Sequence, residues 1–308
     1  MRYDAIKETS RFDIIQEVEK FNPYHGADGR FTSAGAATSF TYKPGQGKMY
    51  DNAIAREKER QAAMGGTPKK GLVAGLGQEH AEVIEKLVDA APEEVKSVWN
   101  KFGDEIAVAD AAAKGAYCEN NNTSIHVNIE RSANDTVKRA PYEEVMHESA
   151  HAIDFAIQKK LGLSEGYADS YKDGLFEKTL IKEADAYIKN YQRELQTKRE
   201  HKVLIAEARK ELGLSTFQEE RKAIRQTSDI LEGATKGKFS GCAGHGKQYW
   251  TGIKWYDGNV YGAHKVSTEA FAHFFSASTT NPKALSKLKS VFPESYKVFT
   301  SMLKEAGQ

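Results

Sequence analysis

The chain has 308 residues, of which 40% are hydrophobic and 28% are charged. A chain of this length and composition can bury a core large enough to fold without disulfide bonds. The 44 lysine and arginine residues nearly balance the 43 aspartate and glutamate residues. The resulting net charge of +1 removes the electrostatic argument for a dedicated nucleic-acid partner. No apolar run approaches the ~18 residues of a membrane span.

The N-terminus lacks the basic and then apolar pattern of a secretory signal peptide, so we expect synthesis in the cytoplasm. Association with a virion, or delivery by a route that uses no signal peptide, is compatible with this expectation. The two cysteines, Cys118 and Cys242, lie far apart and form no CxxC motif. This spacing excludes a disulfide scaffold and a zinc site built from several cysteines, and it leaves a single disulfide open.

The first 70 residues have the composition of an arm rather than of a packed domain. An amphipathic helix is predicted up to Asn22-Pro23, because proline disfavours helical backbone in the residue before it. Residues 24–47 are rich in Gly, Ser, Thr and Ala and predict an extended segment. A polar helix and a Gly-Gly-Thr-Pro stretch follow. We therefore predict an N-terminal segment over 1–70 and one larger domain over 71–308.

Helices and two short strands are predicted in the first half of that domain. Residues 72–102 have the pattern of two helices. Residues 105–110 and 124–130 are predicted strands, and in the second strand Ile and Val alternate with His and Asn, which is typical of a half-exposed strand. Residues 141–161 predict a helix that begins with Pro-Tyr-Glu-Glu.

The second half of the domain is predicted to be mainly helical, over 169–212, 216–234, 266–278 and 282–305. Charges of mixed sign in the first two of these segments predict a solvated helix face. Residues 233–258 are rich in glycine and too irregular for a long helix. The predicted fold class is therefore α+β, mostly helical, with a small twisted sheet.

The sequence His147-Glu148-Ser149-Ala150-His151 is an HExxH motif. Two histidines at positions i and i+4 of a helix point the same way, so both imidazoles can bind one cation. Glu148 between them lies close enough to take a proton from water at that cation. The motif therefore predicts a Zn²⁺ site on the helix over 141–161.

A catalytic zinc needs a third protein ligand and an open position. The best candidate is Glu269, at the start of the helix over 266–278, where the helix dipole favours an acid. His273 follows one turn later and competes with it, either as a ligand or as a partner of a ligand. Asp154, one turn after the motif, can accept the second ring proton of a ligating histidine. As ligands, Asp154, His245 and His264 are weaker candidates.

The residues of these two helices resemble a known family. The stretch from His147 to Asp154, HESAHAID, resembles the HExxHxxD helix of the anthrax lethal-factor type zinc metallopeptidases. Tyr261-Gly262, followed by Glu269-Ala-Phe-Ala and two phenylalanines, is similar to that family's Tyr-Gly and then Glu-x-Phe-Ala block. The resemblance covers about 105–160 and 260–308.

The resemblance implies a zincin-like metallopeptidase core with the ligand arrangement of gluzincins. In that arrangement His147, His151 and Glu269 bind the zinc ion, and Glu148 is the general base. The activity it implies is hydrolysis of peptide bonds in a peptide or protein substrate. Residues 124–130 are similar to the edge strand along which the substrate of a zincin lies.

Two further expectations follow from the resemblance. Tyr261 would donate a hydrogen bond to the oxyanion. It lies one residue farther from Glu269 than the family spacing, so Tyr256 and Tyr249 remain alternatives for this role. The long separation between His151 and Glu269 implies a helical insertion over about 165–235, which we expect to be a lid or a substrate-recognition element.

A second resemblance concerns the N-terminal segment. Its sequence FNPYH, followed by Gly-Arg-Phe, is similar to a short segment of proteins from phages and integrative elements of Gram-positive bacteria, including minor head proteins. The Gly-His-Gly-Lys block at 244–247 is similar to a segment of the same proteins. The resemblance implies a protein encoded by a phage or mobile element, with capsid or portal components as possible partners of the arm.

Two alternatives to a peptidase therefore stay open. In the first, the chain is a phage minor head or structural protein whose zincin-like domain is a structural or inactive module. In the second, the long helices with mixed charges form a toxin domain that acts by binding.

Overall fold

The computed structural model of this chain describes residues 68–110, 116–119, 123–134, 139–197, 218–237, 245, 247–254, 260–261 and 264–308. The helices and the arm predicted over 1–67 therefore lie outside the described residues, as does Tyr256. None of the described helices is both long and apolar enough to span a membrane.

The described residues are mostly helical, as the sequence predicts. The helices are α1 (Leu72–Leu76), α2 (Gln78–Asp89), α3 (Glu93–Phe102), α4 (Ile129–Ala133), α5 (Glu143–Leu161), α6 (Tyr167–Ser170), α7 (Leu175–Thr197), α8 (Gln218–Ala234), α9 (Lys247–Thr251), α10 (Val266–Thr280), α11 (Pro282–Val291) and α12 (Pro293–Gly307). A 3₁₀ turn at Gly103–Glu105 follows α3.

Four short strands form a mixed sheet, which confirms the α+β class. The strands are β1 (Lys69–Lys70), β2 (Ala107–Asp110), β3 (Tyr117–Cys118) and β4 (Ser124–Val127), in the order β1-β2-β4-β3. β2 and β4 are parallel, whereas β1 and β3 run antiparallel to their neighbours. A separate hairpin pairs β5 (Ile253–Lys254) with β6 (Val260–Tyr261).

The prediction of a half-exposed edge strand over 124–130 is wrong. β4 lies inside the sheet, all four of its residues are buried, and β3 is the edge strand beside it. His126 is buried because its Nε2 lies 2.6 Å from Glu119 Oε1 and its ring stacks on Tyr117. The strand ends early because the Asn128 side chain accepts a hydrogen bond from the Arg131 N–H and caps α4.

Two predicted helical segments are divided by residues that interrupt a helix. Residues 72–102 form three helices rather than two, because Gly77 has a φ of 88° between α1 and α2. Residues 282–305 are split at Pro293, which begins α12. Proline is unfavourable inside a helix but suits its first turn, where no intrahelical partner for the N–H is needed.

The core forms where α5 packs against α10, and α7 and α8 complete it. Phe176 of α7 and Ile230 of α8 are fully buried, and the Phe176 ring lies 6.1 Å from that of Phe274 in α10. The described part of the predicted insertion over 165–235 is therefore core structure, whereas we expected a lid or a recognition element there. Burial of apolar side chains from both segments holds α10 in place beneath α5.

We expect Phe274→Ala to lower the free energy of unfolding by about 3–5 kcal/mol, because it leaves a cavity among aromatic rings. Phe274 is fully buried and its ring lies 5.4 Å from that of Phe299. Leu161→Ala is the control, since Leu161 is 55% exposed and should cost about 0.5 kcal/mol or less. Chemical denaturation measures both, and equal losses would contradict this packing.

Candidate metal centre

Buried ion pairs fix the first turn of α5, one turn before the HExxH motif. Glu144 binds Arg131 and Arg139, and Glu143 lies 3.5 Å from Arg225 of α8. Burial by itself would raise the pKa of Glu144, but the two guanidinium groups beside it outweigh burial and hold that pKa below its usual value. Acids in this turn also complement the helix dipole. The start of the helix is thus held by arginines from three segments of the chain.

Three side-chain atoms from α5 and α10 meet at one point. His147 Nε2 lies 3.2 Å from His151 Nε2, and Glu269 Oε2 lies 3.4 Å and 3.8 Å from these two nitrogens. Zinc bound tetrahedrally at about 2.0–2.1 Å from each ligand atom separates those atoms by roughly 3.3–3.4 Å. The three atoms are therefore spaced for a single ion of this size.

The chemical state of these three groups suits a cation. Burial lowers the pKa of His147 well below its usual value and that of His151 to about 3, so both rings are neutral and offer a lone pair. Glu269 Oε2 is buried and has no hydrogen-bond donor among the described residues. A buried carboxylate oxygen without a donor is costly, and a bound cation would remove that cost.

Glu148 is the buried acid inside the motif, with 7% of its surface exposed. Burial raises its pKa to about 8, and repulsion from Glu269 adds to the effect. Its charge also raises the pKa of the Cys118 thiol, although burial of that thiol is the larger cause. Glu148 therefore interacts electrostatically with Glu269 and with Cys118 of β3.

Among the described side chains, Tyr249 of α9 is the candidate tyrosine that contacts this cluster. Its hydroxyl donates a hydrogen bond to Glu269 Oε1, whereas Oε2 is the oxygen that lies beside the two histidines. Burial and the Glu269 charge raise the pKa of Tyr249 well above its usual value, so the phenol keeps its proton. For Tyr261 the structure describes the backbone, which pairs with Ile253 in the β5–β6 hairpin.

His273 is close to the metal centre but is engaged elsewhere. Its Nε2 lies 2.8 Å from Asp229 Oδ2, and its ring centroid lies 4.7 Å from that of His147. Asp229, Glu269 and His273 are also close enough together to form a second candidate group for a metal. Because the 2.8 Å separation is that of a hydrogen bond, we interpret His273 as a partner beside His147 rather than as a ligand.

The remaining ligand candidates do not join the three-atom cluster. His245 Nδ1 lies 2.8 Å from Asp229 Oδ2, and the His264 ring stacks on Tyr249. Asp154 Oδ1 accepts a hydrogen bond from the Ala168 N–H at 2.7 Å, so its carboxylate is directed at α6. The expectation that Asp154 accepts a ring proton from a ligating histidine is therefore not met among the described contacts.

The sequence pattern alone did not identify Asp229. It lies on α8, in a segment predicted to have a solvated face, yet residues 222–234 are mostly buried. One signal was available, because the dense charges of 219–225 give way after Arg225 to a stretch in which Asp229 is the first acid. An acid followed directly by apolar residues, as Asp229 is by Ile230 and Leu231, is consistent with a buried carboxylate that needs a partner.

No protein-family model, curated protein or solved structure matches this chain. The resemblances to lethal-factor type peptidases and to phage proteins therefore stay predictions. Any functional conclusion must rest on the geometry around the HExxH motif.

We expect the purified protein to bind one zinc ion, and His147→Ala and Glu269→Gln to lose it. Loss of a residue that hydrogen-bonds a metal ligand typically weakens metal binding about 10- to 100-fold. Removing a ligand itself should weaken zinc binding by more than this. Elemental analysis and competition with a chromophoric chelator measure this. His126→Gln is the control, because His126 is a buried histidine that pairs with Glu119 outside the cluster. Unchanged zinc content in the ligand variants would contradict the site.

Proposed function

We propose that this protein is a zinc-dependent endopeptidase. The observation that carries the proposal is the meeting of His147, His151 and Glu269 at spacings suited to one metal ion, with Glu148 between the two histidines. Two imidazole nitrogens and a carboxylate oxygen form a ligand set that zinc readily accepts.

The number of ligands favours a catalytic site over a structural one. Structural zinc sites are closed by four protein ligands, whereas catalytic sites use three and keep a position open. Among the described residues the cluster offers three ligand atoms, and His273 beside it is hydrogen-bonded to Asp229. This count argues against the alternative in which the domain is a purely structural module.

Glu148 is the residue that would move the proton. When bound in such a site, zinc polarises a carbonyl group and lowers the pKa of water towards ~7. A cation bound beside Glu148 would favour its charged form and lower its pKa. The Glu148 carboxylate would then accept a proton from the attacking water and pass it to the leaving amine, an exchange worth roughly 100- to 10,000-fold in rate. Its burial at 7% exposure keeps this carboxylate away from bulk solvent.

The proposed substrate is a peptide or protein, as the sequence resemblance implies. Such a substrate can bind as an extended strand through main-chain hydrogen bonds, with side-chain pockets providing specificity. Residues 124–130 do not have the edge position that the resemblance implied, because β4 lies between β2 and β3 in the described sheet.

The oxyanion donor and the origin of the protein are further parts of the proposal. The described side chain of Tyr249 donates a hydrogen bond to a proposed ligand, Glu269, which supports a role for its phenol at the metal centre. Tyr261 and Tyr256 stay alternatives as donors to the oxyanion. An origin in a phage or mobile element rests on the N-terminal sequence and on the Gly-His-Gly-Lys block at 244–247.

We expect Glu148→Gln to retain zinc but to lose at least ~100-fold of peptidase activity, because the amide cannot accept the proton. Glu85→Gln is the matched control, since Glu85 is exposed on α2 and the substitution is chemically the same. Cleavage of a peptide library and elemental analysis measure the two properties. Full activity in Glu148→Gln would exclude this glutamate as the base.

We expect the wild-type protein to cleave denatured casein or a peptide library, and a chelator to abolish cleavage. Added zinc should restore it, because the ligands are neutral rings and a carboxylate that rebind the ion at neutral pH. A protein that binds zinc but cleaves none of these substrates would favour the structural-module alternative.

A further inference from the structure

Asp229 is a fully buried carboxylate with an unusual number of partners. Its side chain is 0% exposed, and it binds two histidines from two other segments of the chain. Oδ2 lies 2.8 Å from both His273 Nε2 and His245 Nδ1, and Oδ1 accepts the His245 backbone N–H at 2.8 Å. A buried charge is tolerated when it is paired and hydrogen-bonded, and these contacts satisfy that condition.

One set of these contacts leads to the ligand His147. Asp229 fixes the ring of His273, which lies 4.7 Å from the His147 ring at a tilt of 48°. His273 is fully buried, and its ring packs against the ring of His147. The side chain beside this ligand is therefore held by a residue of α8.

A second set of contacts leads to the ligand Glu269. Asp229 fixes His245, whose ring stacks on Tyr249 with centroids 4.0 Å apart and planes at 13°. The Tyr249 hydroxyl in turn donates to Glu269 Oε1. This leaves Oε2 as the oxygen that faces the two histidines of α5.

We propose that Asp229 is a positioning residue for the metal centre, which it orients through His273 on one side and through His245 and Tyr249 on the other. The inference rests on the metal site of the proposed function and does not depend on peptidase activity. A single carboxylate in α8 thus acts on ligands in two different helices. Outer partners of metal ligands hold ligand orientation and so contribute to metal affinity.

The test is Asp229→Asn, in which the amide keeps the volume but replaces one acceptor oxygen with a donor. We expect the zinc dissociation constant to rise about 10- to 100-fold. The d–d absorption spectrum of the Co²⁺-substituted protein should also change, because the ligand geometry around the ion relaxes. Competition with a chromophoric chelator and visible absorption measure these effects without any peptide substrate.

Glu183→Gln is the matched control. Glu183 of α7 accepts hydrogen bonds from the backbone N–H groups of Glu294 and Ser295 at 2.7 Å and 2.9 Å, so it is also a helix carboxylate with several donors. It holds the start of α12 and has no partner in the metal centre. We expect the Glu183→Gln substitution to lower the Tm while leaving the zinc dissociation constant and the Co²⁺ spectrum unchanged.

His245→Asn keeps the inference testable if Asp229→Asn does not fold. The His245 side chain is 27% exposed, and its removal interrupts only the path to Tyr249 and Glu269. We expect about 10-fold weaker zinc binding, and unchanged affinity would overturn the inference.

The wild-type protein separates the two possible failures. If wild type binds zinc and Asp229→Asn binds it equally well with an unchanged Co²⁺ spectrum, the positioning role is overturned and the proposed function stands. If wild type itself binds neither zinc nor Co²⁺, the proposed metal site fails and the inference fails with it. If the wild-type protein binds zinc but hydrolyses no peptide, only the proposed peptidase activity is contradicted.

Discussion

The structure depends on the packing of α5 against α10, because this contact brings a carboxylate to two imidazoles. The two histidines are neighbours on one helix, but Glu269 comes from a helix more than a hundred residues later. The aromatic residues of α10 are buried in the core, where they belong to the same cluster as the apolar residues of α5. Burial of these apolar side chains offsets the free-energy cost of holding the three polar groups together away from water.

Charge neutralisation is the second constraint on this part of the molecule. The acids that begin α5 are matched by arginines from three segments, and Asp229 is matched by two histidines. Glu148 instead makes no hydrogen bond to the described residues, and its pKa is raised to about 8. Structural acids in this region are thus paired, whereas the acid that chemistry would use is left without a fixed partner, a pattern common at functional sites.

Much of the site was predictable because its central part is local in sequence. The spacing of His147 and His151 places both rings on one helical face, and Glu269 stood out as an acid at the start of an aromatic helix. The edge strand was predicted wrongly, because alternation along 124–127 indicates two faces but does not reveal that His126 is paired within the sheet. Asp154 was predicted to support the histidines, yet its carboxylate is held by the backbone of α6.

By itself, the sequence determined the helix that carries the motif, the face that the two histidines share and the mostly helical class. These depend on the 3.6-residue repeat and on residues at the ends of helices, which act within a few positions of the chain. Only the tertiary structure decided which distant groups meet them: Glu269, Tyr249 and the buried Asp229. The orientation of these side chains depends on how whole helices pack. That packing depends on burial throughout the core and not on any local sequence pattern.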